Sequence, residues 1–241
     1  MRVRTLRPVP ALGVVMAGIL MASACTTGSD APQDTARAQA STSAKTAAVP
    51  LTRAQLRALA FKDGEVAGAH EYGNPVKDPV PEQERRSFPP VSDPACQTML
   101  DIRGADNAAT VVLQTFNWKG DIWGGTSTLA AYEDGKAHQA FAQLTKALGA
   151  CHSYEGTGWV GPFTATLTME DAPAVGDEAV RFHETIPMGP EQPGDRNEQF
   201  TIVRAGNTIA TFQKLNVGGT ASFPTDLVTR QVQRLQQAQR P

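Results

Sequence analysis

The chain has 241 residues, 41% of them hydrophobic, and nearly balanced charge, with 22 Lys and Arg against 24 Asp and Glu. That is enough chain for one domain with a sizeable core. With no basic stripe or Lys/Arg cluster, the charge argues against nucleic acid or an anionic membrane surface as a partner.

At the N-terminus, Arg2, Arg4 and Arg7 flank the apolar run Ala11 to Met21, which gives way to Ala22-Ser23-Ala24-Cys25. A membrane-spanning helix needs about 20 apolar residues, so this shorter run reads as the core of a secretory leader. The small residues before Cys25 resemble the lipobox of bacterial lipoproteins, although Ala22 stands where that motif usually has leucine. The resemblance implies cleavage after residue 24, acylation of Cys25 with palmitate-class chains, and a protein held by lipid on the extracellular face of the cell membrane. A plain secretory leader cut at the same place is the alternative. Removing residues 1–24 takes away three arginines and moves the formal charge from −2 to −5.

Residues 25–50 continue with Ala, Thr, Ser and Pro, have no aromatic side chain and cannot build a core, so they read as a disordered tether. The folded domain is expected over 51–241. Thr52 is placed to cap a short helix with Leu56, Leu59 and Ala60 on one face. A brief extended stretch over 65–73 and a proline-rich loop over 74–90 follow. Asp93 and Pro94 start a second helix carrying Cys96, Met99, Leu100 and Arg103, with Gly104 placed to end it. A third helix, Gly135 to Leu148, carries Ala137, Ala140, Phe141, Leu144, Ala147 and Leu148 in an apolar stripe that Cys151 continues.

Strand patterns occupy Thr110 to Trp118, Thr126 to Tyr132, Phe163 to Met169 and Ala179 to Ile186. Gln199 to Arg204 and Thr208 to Lys214 read as a hairpin through Ala205-Gly206-Asn207. In Phe163 to Met169 the residues Phe163, Ala165, Leu167 and Met169 alternate with threonines, predicting one buried and one wet face. A last helix begins near Pro224 and turns Leu227, Val228, Val232 and Leu235 to one side. The fold class that follows is α+β: a single domain with an antiparallel sheet packed by three or four helices.

With Cys25 acylated, Cys96 and Cys151 remain as an even pair, and an oxidising compartment favours a disulfide between them. Metal ligation and a Cys151–His152 thiol nucleophile are the alternative readings. Other scattered candidates are His70 with Glu71, His183 with Glu184, and the carboxylates Glu170, Asp171, Asp177 and Glu178, each explained as well by turn or surface chemistry. No nucleophile elbow, zinc-protease helix or phosphate loop is present. No catalytic residue, metal or cofactor is therefore expected. Candidate ligand-binding residues are the aromatics beside glycine-rich turns and strand ends: Trp118, Trp123, Tyr132, Tyr154 and Trp159. The competing reading places most of them in the core.

The order of lipobox, Ala/Thr/Ser tether, Ala54-Gln55-Leu56-Arg57-Ala58-Leu59, Pro94-Ala95-Cys96-Gln97 and the run Ala140 to Cys151 resembles the extracellular sensor domain of PknH-type kinases and its actinobacterial lipoprotein branch. Gly176 to Val180 and Val203 to Phe212 add to that resemblance. It implies a compact α+β domain with an antiparallel sheet, outside the cell, that senses or binds an envelope ligand. The kinase sensor domains have two disulfides, whereas this chain can form one. A chain with neither kinase domain nor membrane-spanning helix would signal through a partner. The leading expectation is thus a noncatalytic lipoprotein binding a small-molecule or cell-wall ligand. The alternatives are a module docking on an envelope protein, marked by an exposed apolar patch, and a cell-wall hydrolase, marked by convergent catalytic groups in a cleft.

Overall fold

In the computed structural model the described residues are 49–62, 64–69, 76–77, 88–158, 161–189 and 194–240. The leader, Cys25, most of the tether, His70, Glu71, most of the proline-rich loop and Trp159 lie outside them.

Helix α1, Arg53–Leu59, begins at a capping box: the Gln55 amide donates to Thr52 Oγ1, and the Gln55 side chain accepts from the Thr52 amide at 2.8 Å. Strand β1, Val76–Lys77, is a two-residue edge inside the segment read as loop. Helix α2, Pro94–Arg103, starts where Asp93 Oδ1 accepts from the amides of Ala95 and Cys96 at 2.8 and 2.9 Å. The helix ends at Gly104 as expected, with the left-handed turn one residue further on. Gly104 keeps a right-handed conformation, and Ala105 takes the left-handed one at φ 63°. The Ala105 amide donates to the Ile102 carbonyl and that of Asp106 to the Asp101 carbonyl, the bonding of a Schellman motif. An alanine there is strained by about 1 kcal/mol, but its methyl is buried in the core.

The remaining elements are β2 Thr110–Phe116, β3 Gly125–Ala131, α3 Lys136–Leu148, β4 Ser153–Gly158, β5 Gly161–Glu170, β6 Glu178–Pro187, β7 Asp195–Ala205, β8 Thr208–Val217 and α4 Thr225–Ala238. They build one antiparallel sheet of eight strands in the order β1-β2-β3-β8-β7-β6-β5-β4. After β3 the chain crosses a sheet face as α3 and reaches the far edge at β4. It then returns strand by strand until β8 pairs with β3. The β7–β8 turn has two residues, because Ala205 itself pairs with Thr208. Gly206 holds φ 58° there, and a Cβ on it would come 2.5 Å from Gln239 Oε1, which accepts from the Asn207 amide.

Each sheet face carries a helix pair. On the first, Cys96, Met99 and Leu100 of α2 and Ala137, Phe141, Leu144 and Leu148 of α3 pack on Phe182, Phe200, Ile202 and Ile209. On the second, Leu56 of α1 and Leu227, Val228, Val232 and Leu235 of α4 pack on Val112, Leu129, Val203, Ala210 and Phe212. Phe200 and Ile202 point one way and Val203 and Ala205 the other, so the middle of the sheet is covered on both sides. Burying each large apolar side chain contributes roughly 1.5–3 kcal/mol.

Three local readings are corrected. Tyr154 to Gly158, read as part of a glycine-rich turn, belongs to strand β4, Ser153–Gly158, which pairs with β5 on one side and is bonded at Glu155 to the Ser92 amide and hydroxyl. Of the extended stretch expected over 65–73, the described part is mainly turn, with one bridge between Ala69 and Trp118. Met169 has the parity of the buried face but is 51% exposed, because it lies near the end of β5.

Candidate binding cavity between α2 and α3

Cys96 of α2 and Cys151, just beyond α3, form a disulfide with Cα atoms 4.9 Å apart. This bond removes the thiol from the Cys151–His152 pair. It also ties α2 to the start of β4, so the two helices of the first face are clamped at one end.

Away from that clamp, α2 and α3 leave a cavity of about 530 Å³ between them. A volume of this size is within the usual range for small-molecule sites. Thr98, Asp101 and Ile102 form its α2 wall, and Lys136, Gln139, Ala140 and Gln143 its α3 wall. Both sets follow i, i+3, i+4 spacing, each a stripe beside the helix's apolar one. Asp106, Asn107 and Ala109, in the loop after α2, close one side, and Tyr132 and Glu133, at the exit of β3, complete the lining. Ala105 and Asn107, both at positive φ, set the path of that loop.

Tyr132 lies against this cavity with its hydroxyl buried. Its side chain is 1% exposed, yet its hydroxyl finds no hydrogen-bond partner among the described residues. A buried polar group left unpaired costs about 1–3 kcal/mol. Burial first, and the nearby Asp106 carboxylate second, push the phenol well above its ordinary value, so it stays neutral and able to donate or accept. Asp101 Oδ1 accepts from Gln97 Nε2 at 2.8 Å, and Thr98 Oγ1 donates to the Pro94 carbonyl at 3.0 Å, so the polar side chains of the α2 wall are held by their own helix.

The other aromatic candidates do not converge on this place. Trp118 stacks on Phe116 at 5.7 Å, packed against the core of the opposite sheet face. Tyr154 is buried under α2 and donates to Glu184 Oε2 at 2.8 Å, and burial followed by the Glu184 charge raises its phenol far above the ordinary range. Glu184 also accepts from Arg103 Nη1 at 3.0 Å, and the Arg103 guanidinium lies 4.3 Å from the centre of the Phe200 ring. Trp123, 39% exposed, and Ile122, 87% exposed, sit in the β2–β3 turn. Three of the four acidic candidates fall into two networks, and Asp171 is exposed. Glu170 holds His183 and Gln199, while Asp177 and Glu178 hold Arg204.

Sequence reasoning missed the cavity's polar residues, because Thr98, Asp101, Lys136, Gln139 and Gln143 look like two solvated helix faces. The available signal was that both stripes adjoin apolar stripes of helices bound by one disulfide.

Fold and cavity together define the class: an α+β domain with helices on both faces of an antiparallel sheet and a polar cleft within one helix layer. No family model and no curated protein sequence matches the chain. Its fold is similar to that of the extracellular domain of PknH from Mycobacterium tuberculosis, with a TM-score of 0.55 and 14% identity over 78% of this chain and 98% of that one. At that identity the likeness is one of fold. No described helix is long and apolar enough to cross a membrane.

Proposed function

We propose that this chain is a noncatalytic lipoprotein of the cell envelope whose domain binds a small polar ligand between α2 and α3, outside the membrane. The observation that carries the reading is the recess of about 530 Å³ between α2 and α3, lined by polar side chains of both helices and of the loop after α2. The fold likeness to an extracellular domain and the disulfide support an oxidising location. The lipobox-like Ala22-Ser23-Ala24-Cys25 supports anchoring by acyl chains at Cys25.

The test is native mass spectrometry of the full chain extracted from its own membranes, beside Ala140→Trp, which fills the cavity. The reading expects acyl mass on Cys25, and a small molecule that leaves on mild denaturation and is missing from the folded variant. A bare wild-type protein whose melting no polar metabolite shifts overturns ligand binding, and an unmodified Cys25 overturns the anchor.

A docking module is the second reading, favoured by one feature, the exposed Ile122 and Trp123 at the β2–β3 turn. Two neighbouring side chains make a small patch beside those that mark protein interfaces.

A further inference from the structure

The turn between β2 and β3 presents apolar side chains to solvent and holds them there. Of the four large apolar side chains exposed among the described residues, Val49, Ile122, Trp123 and Met169, only Ile122 and Trp123 are neighbours. They are 87% and 39% exposed, where turn positions ordinarily take small polar residues. The backbone beneath them is fixed at several points. The Asp121 amide donates to the Trp118 carbonyl at 3.1 Å, and the Trp123 amide donates to Asp121 Oδ1 at 3.0 Å. Asp121 Oδ2 pairs with Lys214 Nζ at 2.9 Å, and the Lys119 amide donates to the Gly68 carbonyl at 2.8 Å. Gly124 closes the turn at φ 58°, where a Cβ would come 2.7 Å from the Phe116 carbonyl oxygen. Trp118, stacked on Phe116 and edge-on to Phe223, gives the turn an aromatic base.

Area, reach and chemistry favour lipid as the partner of this pair. Two side chains offer a fraction of the about 800 Å² that each side of a stable protein interface contributes. A lipid surface sets no such minimum for a protein already tethered to it, because the second contact then forms at high effective concentration. The 23 residues between Cys25 and Val49 can span up to about 80 Å, more than the roughly 40 Å width of a domain of this size, so any end of the domain can reach the bilayer. Isoleucine is apolar, and the indole, apolar with one N–H, suits the headgroup boundary. Lys119 beside them is exposed and has no acidic partner among the described residues, so its ammonium can extend to lipid phosphates. We infer that the β2–β3 turn is a second, weak membrane contact, with Ile122 and Trp123 seated in the interface of the bilayer that holds the Cys25 acyl chains. The inference rests on the reading of Cys25 as a lipid anchor. Ala109 and Tyr132, which line the α2–α3 recess, flank the opposite ends of β2 and β3, so this contact turns the recess away from the membrane.

The experiment is quenching of tryptophan fluorescence by brominated phosphatidylcholine, on vesicles to which the full chain is coupled through its Cys25 thiol by a maleimide-bearing lipid. The coupling supplies the tether whether or not cells acylate Cys25, and the leader holds no tryptophan. Wild type is compared with Trp123→Phe, which keeps the apolar contact and removes the fluorophore, and with Ile122→Asp, which puts a charge into the contact. Quenching of the wild type is expected to exceed that of Trp123→Phe on phosphatidylcholine alone. Ile122→Asp should bring quenching down to the Trp123→Phe level with no change in melting temperature, since the side chain it replaces packs on nothing.

Equal quenching of wild type and Trp123→Phe overturns the inference and leaves the turn to a protein partner. Because the tether is supplied chemically, that result leaves the lipid anchor standing, and the acyl mass on Cys25 decides the anchor separately. Quenching that Ile122→Asp leaves at the wild-type level also overturns the inference, since the pair is then not seated together. A wild-type excess seen only when phosphatidylglycerol is added overturns the apolar basis of the contact.

Discussion

The two sheet faces are built from the same parts, a pair of amphipathic helices on alternating strand residues, yet they are closed in different ways. The second face is sealed by side chains. Phe116, Phe212 and Phe223 pack edge to face or tilted, while Arg234 lies over Phe61 and reaches the carbonyls of Leu59 and Ala60 and the Glu65 carboxylate. The first face is closed by a covalent bond at one end and left open at the other, where its helices present polar stripes to each other. A disulfide lets two helices stay paired without filling all the space between them. Buried polar atoms without a partner occur on both faces, the Tyr132 hydroxyl on the first and Arg230 Nε and Gln231 Oε1 of α4 on the second, while the recess between α2 and α3 belongs to the first.

The largest effect that would break this comparison is loss of the disulfide. It closes a separation of 55 residues, so the Cys96→Ser, Cys151→Ser variant should lose about 4 kcal/mol in denaturant unfolding. Hydrogen exchange should rise in α2 and α3 before it rises in α1 and α4. Equal loosening of both helix pairs would show that the bond does not act on one face.

On the sealed face the matching experiment is Leu235→Ala, which empties a fully buried site against the second core. It should cost about 3 kcal/mol in the same assay. A cost below about 1 kcal/mol would mean that this face relaxes around the gap, contrary to a filled core.

A smaller effect of opposite sign is expected at the cavity. With no ligand present, Tyr132→Phe removes a buried hydroxyl that has no partner and should raise stability by about 1 kcal/mol. A loss of that size instead would show that the hydroxyl is satisfied in the empty protein.

The smallest effect is in the pH dependence. The hydrogen bond from Arg234, then that from the Lys62 amide, hold the Glu65 carboxyl below its ordinary value of 4.5. A lowered carboxyl stabilises the fold above its unfolded value, and that contribution disappears as pH falls through the folded value. Arg234→Ala should therefore destabilise the protein near neutral pH, with the difference from wild type narrowing as the pH falls below about 4.5. Parallel stability curves through that range would remove the Arg234–Glu65 pair from the account of the sealed face.

What could be read directly from the chain is what local chemistry controls. Thr52 with Gln55, and Asp93 with Pro94, mark helix starts because a capping side chain needs only its next few residues. The apolar stripes of α3 and α4 and the alternation in β5 mark buried faces because a repeat of 3.6 or 2 is a property of the segment itself. The α+β class follows from those elements, and the pairing of Cys96 with Cys151 from there being only two cysteines beyond Cys25. Strand β4 was not readable, since Ser153–Gly158 has no apolar alternation and pairs only because β5 lies beside it. The left-handed turn falls on Ala105 rather than Gly104 because the core holds the alanine methyl, a demand made by residues distant in sequence. The cavity is the clearest case. Each of its walls is an ordinary polar helix face, and the crossing of α2 and α3 over the sheet makes two such faces into one site.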